Sequence, residues 1–247
     1  MLSQGEKLKE MKRMRELPEL AQPRTVRLKF RKVGSLQFIS HLDLQRTFMR
    51  VLTRACIPVW YTKGFNPHAK LVFSTPLSVG TQSEYEFLDI RIDREMSPEE
   101  IMNRLNRELT EELCVTEAYL PKRDFSEIAW ATYEIEICTE GASAELAEGM
   151  MRTLTSSPVL LTKKTKAGEK EIDIVPMIHE IGIRFDEEKG IIRISAVLSA
   201  TTGEFLNPEM LITALRREHG ILSGDLMSEW YTILRTSVMK ADFTKFQ

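Results

Sequence analysis

Cysteine is scarce in this chain: Cys56, Cys114 and Cys138 are the three in 247 residues, odd in number, far apart and never in a C-x-x-C pair. That spacing supports neither a disulfide framework nor a structural zinc site, and all three are expected as buried thiols. Long apolar runs are missing too. No window reaches the length of a membrane span, and the N-terminal stretch, rich in Lys and Glu, lacks the apolar centre of a signal peptide, so no membrane partner and a cytoplasmic location are expected. What is present is enough apolar content, 43% of residues, to bury one large core or two of ordinary size, and two are expected.

Net charge is −2, but the charge is unevenly placed: residues 1–70 carry fifteen Lys/Arg against five Asp/Glu, and the remainder carries nineteen against thirty-one. The basic end is where an anionic partner, nucleic acid or an acidic protein surface, is expected to dock.

Residues 1–23 are charged, weakly periodic and interrupted by Pro18 and Pro23, which predicts a mobile arm or a frayed helix. From Arg24 the pattern sharpens. Val26, Leu28 and Phe30 alternate with Arg27, Lys29 and Arg31, the period of a strand buried on one side with a basic wet face. Ser40 caps a helix, with Asp43 three residues on, and Leu44, Phe48, Val51, Leu52 and Ala55 line its inner face up to Pro58. Strands are predicted at 57–62, 71–75 and 85–92. Ser97-Pro98-Glu99-Glu100 starts a helix carrying Ile101, Leu105 and Leu109, with Pro in the first turn where its missing N–H costs least. A strand at 114–120 completes the set.

The second half repeats this order. Strands are predicted at 132–138, 159–163, 171–176, 191–198 and 230–238, with helices on Leu146, Met150 and Leu154 and on Leu211 and Leu215, the latter opened by Asn207-Pro208-Glu209. Two rounds of strand, helix, strands, helix and strand predict an α+β protein of two tandem ferredoxin-like units, with antiparallel sheets and helices packed on one face. The expected division is 1–23 arm, 24–123 first unit with the motif site, and 124–247 second unit.

Three segments stand out together: Ser40-His41-Leu42-Asp43, the Arg-Ala-x-x-Pro run at 54–58, and Gly64-Phe65-Asn66-Pro67-His68. Over about Arg24 to Arg235 they resemble a bacterial family of uncharacterised radical-SAM-linked proteins. That resemblance implies an accessory role beside a radical SAM protein, which its members are fused to or encoded next to. It departs at Cys56, where the pattern has Gly, and at Ala69, where Pro is common. The chain lacks the C-x-x-x-C-x-x-C that would hold a radical SAM cluster, so no cofactor of its own is expected. More distantly, the layout is similar to the RAMP-class RNA-processing proteins.

Candidate site residues follow. The motif site comprises Ser40, His41, Asp43, Arg46, Gly64, Phe65, Asn66, Pro67 and His68. Arg46, Arg50 and Arg54 form one helical stripe, which reads either as a solvated face or, with Arg27, Lys29, Arg31, Lys32, Lys63 and Lys70, as an RNA-binding surface. His41, just inside the cap, is expected to be structural; the catalytic alternative is a general base toward an RNA 2′-hydroxyl. No metal site is expected, because His41 and Asp43 do not share a helix face. Gly64 and Asn66-Pro67 fix a turn, with Phe65 expected in the core and stacking on an unpaired base as its alternative. The lysines at 163–170 are read as a hairpin tip matching the 64–68 loop in the repeat.

Three functions are open on these residues. The leading one is an RNA-binding or substrate-presenting partner of a radical SAM enzyme in tRNA or rRNA modification. The others are a metal-independent endoribonuclease using His41 and a pure protein adaptor.

Overall fold

The computed structural model describes residues 4–75, 77–156, 158–165, 168–225 and 227–247. It is an α+β protein whose strands pair antiparallel, and the chain divides into two compact units, 1–125 with Gln247 and 126–246.

The first unit runs α1 (Gln4–Glu16), β1 (Glu19–Lys32), a 3-10 turn (Gly34–Phe38), α2 (His41–Arg54), β2 (Val72–Phe73), β3 (Thr81–Arg94), α3 (Pro98–Asn106) and β4 (Leu113–Tyr119). Within it β1 lies between β4 and β3, and β2 pairs with β3. Alternation along β1 puts Val26, Leu28 and Phe30 into a core with Leu88, Ile90 and Ile92 of β3. Against that one sheet face pack Leu44, Phe48, Val51 and Leu52 of α2 and Ile101 and Leu105 of α3. Each helix opens on a serine cap, Ser40 and Ser97, whose hydroxyl accepts an N–H three residues on and satisfies a donor the helix itself cannot.

The second unit runs β5 (Ile128–Cys138), α4 (Ala144–Ser156), β6 (Leu160–Thr165), β7 (Gly168–Asp173), β8 (Ile178–Asp186), β9 (Ile191–Ser199), α5 (Glu209–His219) and β10 (Trp230–Lys240). Its strands lie in the order β10-β5-β9-β8, while β6 and β7 pair with each other in a separate two-stranded sheet. Helix α4 packs against β8 and α5.

Several boundaries differ from the sequence reading. The described part of the expected arm is structured: β1 starts at Glu19, Glu10 pairs with Arg104 at 2.8 Å, and Arg94 donates to the carbonyls of Arg15 and Leu17, both at 2.9 Å. The partners that hold this segment lie 77 and 79 residues away for the Arg94 bonds and further still for Glu10, beyond the reach of any local pattern. The predicted strand at 57–62 is reduced to single bridges, Val59 to Ile92 and Tyr61 to Ala69. Strand β8 escaped notice because His179 and Glu180 break the apolar alternation ahead of Ile181, Ile183 and Phe185, where its pairing with β9 shifts register, and because none of its residues is fully buried. The strands predicted at 159–163 and 171–176 pair as the β6–β7 hairpin, with β7 placed three residues earlier, at Gly168–Asp173. Of the thiols, Cys56 is buried but Cys114 and Cys138 are only half-buried.

Candidate functional site

The start of α2 is built by the Ser40 cap. Ser40 has extended backbone, its Oγ accepts the Asp43 N–H at 3.1 Å, and the same hydroxyl donates to Asp43 Oδ2 at 2.6 Å. Arg46 Nη1 lies 3.5 Å from Asp43 Oδ1. The Ser40 hydroxyl, with the Arg46 guanidinium adding to it, holds the Asp43 carboxyl below its ordinary range. His41 is exposed and sets its ring edge-on to Phe73, with centroids 4.9 Å apart. Phe73 meets Phe30 and Phe48 at 6.2 and 6.0 Å, so the imidazole covers the end of an aromatic cluster rooted in the core. Among the described residues, the His41 ring makes no hydrogen bond.

After α2 the chain turns at Cys56, whose φ of 52° lies in the left-handed region that favours glycine. This is the position at which the resemblance leads one to look for Gly. The loop that follows is closed at its base by the Tyr61–Ala69 bridge and a bond from Thr62 N–H to the His68 carbonyl at 3.0 Å. His68 N–H donates back to Thr62 Oγ1 at 3.1 Å, and its ring Nδ1 sits 3.1 Å from that hydroxyl and 3.2 Å from the Asn66 carbonyl. Gly64, at φ 151°, supplies a backbone conformation that other residues rarely adopt. At the tip Phe65 is fully exposed, with a relative accessibility of 101%. The core expectation for Phe65 is therefore corrected. The loop is pinned through Thr62 and His68 rather than by its aromatic ring.

The basic residues separate into two classes. Arg27 is 1% exposed; its Nε and Nη2 form a two-point pair with Asp89 at 2.7 and 2.8 Å, and its guanidinium lies 4.0 Å over the Phe125 ring. Lys29 pairs with Glu117 at 2.6 Å and sits 4.1 Å over Tyr85. Arg31 donates twice to the Glu111 carbonyl, buried Lys32 donates to the Leu36 and Gln37 carbonyls, and Arg54 pairs with Glu108 at 3.0 Å. The expected wet basic face of β1 is thus corrected: its cations are spent on internal partners, because β3 and β4 bring carboxylates and aromatic rings into register beside them. Arg46, Arg50, Lys63 and Lys70 are exposed. Sequence reasoning overlooked Thr62, Phe73 and Phe125; for Thr62, a hydroxyl just ahead of Lys63-Gly64 was the available signal.

The Ser40–Asp43–Arg46 group and the Thr62–Asn66–His68 group each hold themselves together. Strand β2 connects them, with Phe73 against His41 at one end and the return leg of the loop leading into the other. Among the described residues, no group of three or more His, Cys, Asp or Glu side chains is placed to hold a metal ion, and no helix is long and apolar enough to cross a membrane. In the lysine segment at 163–170, residues 166 and 167 lie outside the described residues. The flanking hairpin stands between α4 and β8 as the 57–71 segment stands between α2 and β2.

Residues 25–208 match the model of a family described as an uncharacterized protein conserved in bacteria (DUF2344). The chain belongs to this family. Comparison with curated proteins gives no match. The DUF2344 span takes in the α2 cap, the Cys56 turn and the whole 61–69 loop, and it ends just before α5.

Proposed function

We propose that this DUF2344 protein is an RNA-binding or substrate-presenting partner of a radical SAM enzyme, acting in tRNA or rRNA modification. The observation that carries the RNA part is the set of cations left exposed. Arg46 and Arg50 on α2, with Lys63 in the pinned loop and Lys70 just after it, all belong to the first unit, and exposed Lys and Arg are what phosphate contacts require. The radical SAM part rests on the motif resemblance. The absence of a C-x-x-x-C-x-x-C run from the chain fits a partner better than the radical enzyme itself. Strand order supports two tandem ferredoxin-like units: numbered within each unit, both read 4-1-3-2, once β6–β7 is set aside as a hairpin inserted in the second.

The reading is tested by titrating labelled tRNA and rRNA fragments with the full chain, alone and with the partner enzyme, at rising salt. Binding that weakens steeply with salt is expected, since phosphate contacts release counterions. Absence of any RNA affinity at low salt, together with a stable complex with the radical SAM protein, would favour the protein-adaptor reading instead. Cleavage of RNA in chelator, lost in His41→Ala, would favour the endoribonuclease. The present geometry offers that reading little, because His41 lies edge-on to an aromatic ring and the neighbouring Asp43 is bonded to Ser40.

A further inference from the structure

We infer that the 61–69 loop is a platform for one unpaired nucleobase, stacked on Phe65, and that the RNA recognised by this chain is single-stranded at that point. The inference rests on the RNA-binding reading above and specifies its substrate class.

Phe65 is the reason. A fully exposed phenyl ring at a loop tip leaves apolar surface in water, an arrangement a protein without a partner for it gains nothing from. The loop beneath is rigidly closed: the Tyr61–Ala69 bridge, the Thr62–His68 backbone bond and the Thr62 hydroxyl contacts to His68 fix both legs. With both legs closed, the tip that carries the ring has less backbone freedom to lose when a ligand arrives. Exposed Lys63 lies on the outgoing leg, exposed Lys70 just past the closing bridge, and Tyr61 at the stem is also exposed. An exposed aromatic flanked along the chain by two exposed lysines suits a base and its neighbouring phosphates. It does not suit a duplex, whose base faces are covered by their neighbours and which is gripped by shape across an extended basic surface. The cations of β1 that would have extended such a surface are tied to Asp89, Glu117 and the Glu111 carbonyl.

The test uses the full chain, a short RNA single strand carrying one 2-aminopurine, and the same strand annealed to its complement. Wild type is expected to prefer the single strand and to change the fluorescence of the 2-aminopurine on binding. Phe65→Ala should weaken single-strand binding by about five- to hundredfold, the range for loss of one stacked base, and Phe65→Trp should retain it. Thermal melting checks that both variants fold, which the exposure of the side chain predicts. If Phe65→Ala binds as wild type does, or the duplex binds as tightly as the single strand, the base platform is overturned while RNA binding stands. If wild type binds neither probe at low salt, the RNA reading falls and takes this inference with it.

Discussion

Strand β1 and the 61–69 loop carry similar basic residues in sequence, and the structure treats them in opposite ways. Along β1, Arg27, Lys29, Arg31 and Lys32 are consumed by carboxylates, carbonyls and rings of the same unit. Around the loop, Lys63 and Lys70 are exposed. The difference lies in what the fold places opposite each cation: antiparallel pairing sets Asp89 directly across from Arg27, whereas among the described residues the loop tip pairs with no strand. Positive charge counted along a chain therefore overstates the charge available to a partner, and the buried share acts as structural cement.

The comparison predicts its largest effect at Arg27. Arg27→Ala leaves the Asp89 carboxylate without its partner in a site where the Arg side chain is 2% and the Asp side chain 16% exposed, and should destabilise by about 3–5 kcal/mol. Lys63→Ala and Lys70→Ala should stay within about 0.5 kcal/mol of wild type. Urea unfolding separates them; equal midpoints for all three variants would remove the distinction between the two regions.

Next in size is the double charge reversal Arg46→Glu with Arg50→Glu. It should lower RNA affinity and make the salt dependence shallower by about two, roughly one for each phosphate that is no longer neutralised. Lys29→Ala should leave that slope unchanged. An unaltered slope in the double variant, read by anisotropy across a salt series, would show that α2 does not face the RNA.

Ser40→Ala removes the acceptor for the Asp43 N–H and should cost about 1 kcal/mol, visible as a lower denaturation midpoint with no change in overall secondary structure. The smallest effect is the pH dependence of Asp43. Its folded carboxyl titrates below the ordinary value of 3.8, so whatever stability it contributes is fully present above that value and is lost as pH falls through the folded one. Carboxyl NMR should place the Asp43 midpoint below that of an unrestrained aspartate. In Ser40→Ala it should move back up, since the Ser40 hydroxyl is the largest cause of the shift; an unmoved midpoint assigns the shift elsewhere.

Much of the element order was readable because it rests on local causes. The alternation of Val26, Leu28 and Phe30, the Ser40 and Ser97 caps, and Pro98 in a first turn are written within a few residues, and the structure carries them as β1, α2 and α3. The β6–β7 hairpin was readable from its lysine-rich tip between two short strands, but strand β8, and the fact that the hairpin stands apart from the main sheet, were not, since which strand pairs with which is a long-range choice. The motif segments were likewise visible as turn and cap chemistry. Their environment was not: Phe65 was expected inward and is outward, while Arg27 was expected outward and is inward.

The sequence by itself determined where α2 and α3 begin, which serines cap them, and that the chain belongs with other DUF2344 members. Tertiary structure alone decided which charges survive on the surface and that Phe65 is left in water. Burial and ion pairing depend on residues 60 to 90 positions apart meeting across a sheet, and no local pattern encodes that meeting.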